Sequence, residues 1–187
     1  MRQDHSLPAA TRRLFIQRSV LALAAAFSPA LLQAAANTPA SKSTPPPKTL
    51  HALSADDYRL LSVVSDAIIP TDETPGASSI DLAARIDRYT APDDKELIQG
   101  ISGALLFIEH KAPELIGEKK AFSRLDSASK EKTLLAMNGA SPLTNTVFTA
   151  IRGLCLFYFY THEAGWKQIG YDGPLIQQAN PSLKADA

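Results

Sequence analysis

The side chains that could perform catalysis are few and lie far apart in this sequence. Beyond residue 36 the histidines are His51, His110 and His162, each in a separate segment, and the single cysteine is Cys155. A cysteine nucleophile needs a neighbouring base, and Cys155 lies among apolar residues, which predicts a buried inert thiol unless His110 or His162 folds against it. Both of these histidines fall near predicted helix ends, where a cation complements the helix dipole.

Three carboxylates, Asp66, Asp72 and Glu73, flank one loop and are the candidates for a cation site. They lack the ligand spacing of a calcium loop, so helix-end solvation and turn formation account for them better. The sequence has no glycine-rich nucleotide-binding motif, no G-x-S-x-G motif and no H-E-x-x-H motif. It therefore predicts no catalytic residue, no cofactor-binding residue and no metal ligand on this chain.

The composition is that of one globular domain without a charge bias. The chain has 187 residues, of which 19 are basic and 19 acidic, and 45% are hydrophobic. At about 100 to 200 residues per domain, there is no room for a dinucleotide fold with a separate substrate domain. The neutral net charge argues against nucleic acid as a partner. A single cysteine excludes an internal disulfide and a C-x-x-C-H haem attachment.

The first 36 residues (1–36) have the parts of a cleaved export signal. Arg12 and Arg13, followed by Phe15, precede a moderately apolar run over residues 20–32, and an alanine-rich cleavage site ends at Ala36. The arginine pair with its following hydrophobic residues predicts a twin-arginine signal, an address that export machinery reads. The alternatives are an ordinary secretory signal and a retained membrane helix, for which the run is shorter than the roughly 20 residues of a span. Export predicts a periplasmic protein.

Residues 37–50 form a linker rich in Pro, Ser and Lys, and residues 51–187 are predicted to fold as one all-α domain of about five to six helices. Apolar residues recur there at helical spacing, and no stretch alternates with a period of two. The first predicted helix runs from the Ser54 cap to Pro70, and the second starts near Ser79 and Asp81 and buries Tyr89. The third opens at residues 92–94 and runs until Pro113, and a short element follows at Phe122 and Leu125. The last two run from about Ser127 to Met137 and from Ser141 to Gly165.

The last of these helices is apolar nearly all round. Such a helix is either central in the bundle or partly buried in another protein. We favour a central core helix, with a contribution to a partner interface as the alternative. The aromatic tail from Trp166 to Pro174 is predicted to fold back onto the bundle as a loop.

Taken in order, several segments resemble the gluconate 2-dehydrogenase subunit 3 family. They are residues 53–77 (LSADDYRLLSVVSDAIIPTDETPGA), 84–87, 122–125 and 148–174, the last ending in GYDGP, whereas residues 90–117 match only as a helix pattern. The resemblance implies a small, non-catalytic subunit of a periplasm-facing dehydrogenase complex associated with the inner membrane. In such complexes a large FAD-dependent flavoprotein of the glucose-methanol-choline type oxidises a sugar acid, sugar or alcohol, and a cytochrome c subunit often takes the electrons. This chain would bind neither flavin nor haem.

An export signal on a small chain without a cofactor suggests that the chain carries a second, bound protein through the export machinery. The twin-arginine route carries folded proteins, so the small subunit could supply the address for a flavoprotein that folds around FAD. A simpler explanation is that the domain folds too fast for threaded export. Two other functions stay open, namely a free periplasmic helical protein that binds or chaperones an apolar ligand or partner, and a stand-alone enzyme.

Two loop segments are the candidate docking surface for the large subunit. Buried aromatic anchors carry much of the binding energy of protein interfaces, so Trp166 and Tyr171 are expected to dock it, with the Pro70–Gly76 loop nearby. The alternative is that these rings cover the core of the domain itself. The candidate interface residues are Ile69, Pro70, Pro75, Gly76, Trp166, Tyr171, Asp172, Gly173 and Pro174.

Overall fold

The computed structural model describes residues 49–174, and these contain six α-helices and no strand. The predicted all-α bundle of five to six helices is confirmed for this part of the chain. The predicted signal residues Arg12, Arg13 and Phe15 lie outside it, as does most of the linker. The helices are α1 (Ala55–Ile68), α2 (Leu82–Tyr89), α3 (Lys95–His110), α4 (Ser127–Ala140), α5 (Pro142–Tyr160) and the four-residue α6 (Glu163–Trp166).

Helix α1 is the centre of the bundle, because it packs against α2, α3, α4 and α5. Its buried stripe includes Tyr58, Leu61 and Val64. The helix begins as predicted after Ser54, whose Oγ accepts the N–H of Asp57 at 3.1 Å. The buried carboxylate of Asp57 in turn accepts the hydroxyl of Ser102 on α3 at 2.8 Å, so the cap of one helix is joined to the side of another.

Asp81, which caps the start of helix α2, has an unusual backbone conformation, since its φ of 47° lies in the left-handed region. Its carboxylate caps the helix through the N–H of Ala84 and accepts the hydroxyl of Tyr58 at 2.9 Å. Burial, followed by this hydrogen bond, raises the pKa of Tyr58 to about 12. The predicted burial of Tyr89 is wrong, since its side chain is 58% exposed. Tyr89 is the last residue of a short helix and lies on Tyr158 of α5.

Helices α4 and α5 form a hairpin joined by the single residue Ser141. The predicted stop of α4 at Asn138 and Gly139 is wrong, because both residues continue the last turn up to Ala140. Ser141 caps α5 as predicted, in a reciprocal capping box with Thr144 and with Pro142 at the first helical position. The predicted short element is a 3₁₀ turn, Phe122–Arg124, and it buries Phe122.

Helix α5 ends at Tyr160, so the predicted end at Gly165 is wrong. His162 is extended and caps α6, where its Nδ1 accepts the N–H of Ala164 at 3.1 Å, so its predicted place in the last turn of α5 is also wrong. A Cβ on Gly165 would lie 2.8 Å from the carbonyl oxygen of Phe159. The chain after α5 therefore passes close to the last turn of that helix at Gly165.

Helix α5 packs against all five other described helices and also presents apolar residues at the surface. It buries one stripe, Thr144, Val147, Ile151, Cys155 and Phe159, while Phe157 on another face is 62% exposed. The buried stripe agrees with the expected core position of this helix, and the expected contribution to a partner interface stays a prediction. Within residues 49–174, no helix combines the length and the apolar character that crossing a membrane requires.

Candidate docking surface

The loop after α1 is closed by its own hydrogen bonds. The N–H of Ala77 donates to the carbonyl of Ile69 at 2.9 Å. A Cβ on Gly76 would lie 2.4 Å from the backbone nitrogen of Thr71 and 2.5 Å from the carbonyl carbon of Pro70, so only glycine allows this approach. The loop is thus a fixed shape, with Pro70 and Pro75 exposed at its surface.

Residues 166–174, which we call the closing turn, are organised around the indole of Trp166. The indole N–H donates to the carbonyl of Tyr160 at 3.2 Å, and the Tyr171 ring meets the indole edge-on with centroids 5.4 Å apart. Gly173 has a φ of 98°, and a Cβ there would lie 3.0 Å from the indole. Asp172 is exposed and Pro174 is half-buried. Trp166 therefore makes a hydrogen bond and a ring contact within the domain itself, whereas the side chain of Tyr171 is 43% exposed.

The structure brings the two predicted segments together. The side-chain amide of Gln168, in the closing turn, donates to the carbonyl of Pro75 at 2.8 Å. The loop and the closing turn are thus one continuous surface, although 93 residues separate the bonded pair in sequence. That this surface docks a partner stays a prediction. Gln168 was not among the candidate residues, because no local pattern marks a side chain that bridges two distant loops.

The end of α5 is capped by an arginine from another helix. The last carbonyls of a helix have no partner within it, and a cation is favourable there. Arg85 of α2 donates to the carbonyls of Tyr158 at 3.1 Å and Thr161 at 3.2 Å. Its guanidinium also lies over the Tyr89 ring, 5.1 Å from the centroid. Arg85 therefore ties α2 to the end of α5.

The buried carboxylate of Asp87 holds the backbone that leads into the domain. It accepts the N–H groups of His51, Ala52 and Leu53 at 2.7, 2.9 and 2.7 Å. Sequence reasoning singled out residues 84–87 only through the family resemblance, and the structure assigns Arg85 and Asp87 in that segment to two separate anchoring tasks.

The candidate chemical groups of the sequence are not brought together. Cys155 is fully buried, and this burial raises the pKa of its thiol to about 12. His162 uses its Nδ1 as a helix cap, and Asp72 accepts the N–H and hydroxyl of Thr74, which lowers the pKa of Asp72. Among residues 49–174 there is no group of three His, Cys, Asp or Glu side chains that could hold a metal ion.

Comparison with known proteins finds one protein family whose model matches this chain. The model of the family described as Gluconate 2-dehydrogenase subunit 3 matches residues 55–173, which is more than half of the chain and includes all six helices. No curated protein and no solved structure matches the chain.

Proposed function

The chain belongs to the gluconate 2-dehydrogenase subunit 3 family, and we propose that it is the non-catalytic accessory subunit of a periplasmic FAD-dependent dehydrogenase complex. The family description itself indicates a subunit of a dehydrogenase complex. The observation that carries the proposal is the extent of the match, which begins at the first residue of α1 and ends in the closing turn.

In this proposal the chemistry belongs to FAD on a large partner of the glucose-methanol-choline type, which oxidises a sugar acid, sugar or alcohol. A cytochrome c subunit is a further proposed partner, as the electron acceptor. The buried carboxylates support an accessory role, because structural donors occupy them. Asp57 accepts from Ser54 and Ser102, Asp87 from three backbone amides, and Glu109 from the N–H and hydroxyl of Ser123.

The export signal gives the small subunit its second proposed task. Arg12 and Arg13 would be read by the twin-arginine machinery, and a flavoprotein bound to the folded domain would cross with it. The complex would then reside in the periplasm, associated with the inner membrane. The surface formed by the Pro70–Gly76 loop and the closing turn supports docking, because it combines a rigid backbone with the exposed ring of Tyr171.

The test co-expresses the chain with its flavoprotein and follows both in cell fractions. Replacing Arg12 and Arg13 by Lys should leave both proteins in the cytoplasm, because lysine lacks the planar guanidinium fork. Tyr171→Ala should reduce co-purification of the flavoprotein with little change in melting temperature. Leu135→Ala, at an exposed apolar residue on α4, is the control.

Normal periplasmic amounts of the double-lysine variant would contradict the export role. A flavin spectrum or turnover from the small chain alone would contradict the accessory role. If the flavoprotein still co-purifies with the Tyr171→Ala variant, Tyr171 is not part of the interface.

A further inference from the structure

We infer that a second surface, formed by α2 and α5, also docks the large dehydrogenase subunit, and that it fits an apolar patch bearing carboxylates on that partner. The inference rests on the proposed function. The surface, which we call the aromatic–arginine face, consists of Arg85, Arg88, Tyr89, Phe157 and Tyr158.

The rings of this face form one connected patch. Tyr89 stacks on Tyr158 with centroids 5.9 Å apart, and Phe157 meets Tyr158 edge-on at 5.1 Å. Single exposed apolar residues are common on protein surfaces, but connected apolar patches mark sites of interaction. Tyr89 and Phe157 are each more than half exposed, on two different helices.

Contacts within the domain hold the patch. Arg85 holds α2 against the last turn of α5 through the carbonyls of Tyr158 and Thr161, and its guanidinium lies over the Tyr89 ring. Rings that are already ordered lose little conformational entropy on association, so more of their buried area contributes to affinity. Aromatic residues and arginine are also the residue types enriched at interfaces and hot spots.

The charge of this face is opposite to that of the domain. From residue 49 to 174 there are 17 acidic and 12 basic residues, whereas the outer face of α2 presents Arg85 and Arg88. The acid between them, Asp87, is turned inward to the backbone of residues 51–53. Arg88 is exposed and forms no salt bridge with another described residue.

This charge pattern favours an acidic partner over a symmetric pair of identical chains. Interfaces place complementary charges opposite each other, so the partner should present a carboxylate to Arg88. A symmetric pair of identical chains would bring two positive faces together, which is unfavourable. Helix α5 has only one charged residue, Arg152, among its 19 residues, and this depletion is typical of the apolar core of an interface.

The test measures the dissociation constant of the small subunit for the purified flavoprotein, at low and at high salt. Phe157→Ser should raise it about thirtyfold, as expected for a hot-spot ring. Arg88→Glu should raise it about tenfold at low salt and less at high salt, because salt screens the charge pair. Leu135→Ser is the matched control, since Leu135 is 64% exposed and Phe157 is 62% exposed. Its dissociation constant should stay within about twofold of that of the wild type.

Equal dissociation constants for Phe157→Ser and Leu135→Ser would overturn the inference. The proposed function would still stand in that case, provided that the wild-type chain binds the flavoprotein. Absence of any wild-type complex would instead refute the proposed function. Self-association and binding to anionic phospholipid vesicles are measured on the same variants. If Phe157→Ser weakens either of these and leaves the flavoprotein constant unchanged, the face has another occupant and the inference is wrong.

Discussion

Replacing Asp87 with alanine should free the backbone at the entrance to the domain. The change removes the acceptor of three N–H groups, those of His51, Ala52 and Leu53. The side chain of Leu53 is buried in the core directly behind this anchor. Loss of the carboxylate should therefore release both the backbone hydrogen bonds and the leucine.

The size of the effect follows from three contributions to the free energy of unfolding. Each hydrogen bond to a charged group contributes about 1.5 kcal/mol at the low end of its range, so the three together contribute about 4.5 kcal/mol. Burial of the Leu53 side chain contributes about 2 kcal/mol. The freed backbone regains about 1 kcal/mol of conformational entropy per residue over three residues. The net expected loss for Asp87→Ala is about 3.5 kcal/mol.

Asparagine at this position is the matched control. It keeps one oxygen, which can still accept from Ala52 and Leu53, both of which donate to Oδ1 of Asp87, but its amide group cannot accept from His51. Asp87→Asn should therefore cost about 1 to 2 kcal/mol. Urea denaturation of the chain from residue 37 onwards, followed by circular dichroism, measures both variants. An Asp87→Ala free energy within about 1 kcal/mol of the wild type would refute this reasoning.

Three other residues, two glycines and the buried cysteine, give further predictions. Gly76→Ala should lower the free energy of unfolding by about 2 kcal/mol or more, because its Cβ would meet backbone atoms at 2.4 and 2.5 Å. Gly153→Ala, where a Cβ meets nothing within 4 Å in the middle of α5, should raise it by about 0.5 to 1 kcal/mol, and equal effects of the two changes in thermal melting would contradict this pair. The thiol of Cys155, with its pKa raised to about 12, should resist alkylation at pH 8 in the native protein and react fully in denaturant. Fast stoichiometric labelling of the native chain would show that the thiol is accessible.

Helix starts could be predicted from the sequence because a cap is a local interaction. Ser54 and Ser141 each accept an N–H from a residue three positions later, as their types and spacing indicate. Asp94, within the predicted opening of the third helix, does the same for α3. The end of α5 could not be predicted in this way. There the chain turns back so that Gly165 lies against the carbonyl of Phe159, and no residue within Pro142–Tyr160 signals that contact.

The candidate surface was predictable in its parts but not in its assembly. Proline, glycine and aromatic residues mark the Pro70–Gly76 loop and the closing turn in the sequence. Their contact depends on Gln168 and the carbonyl of Pro75, which are 93 residues apart. Arg85 likewise reaches carbonyls more than 70 residues away, so its capping of α5 has no local signature. The docking role of both surfaces stays a prediction.

The central position of α1 has a consequence for the synthesis of the protein. As the first helix of the domain it leaves the ribosome first, yet α5, which covers part of it, ends only at Tyr160. At about 5 to 20 residues per second, synthesis of the roughly 90 intervening residues takes about 5 to 18 s. During that interval the apolar stripe of Leu61 and Val64 is incompletely covered. A nascent chain stalled before α5 should therefore bind holdase chaperones, and the bundle can close only when translation is nearly complete.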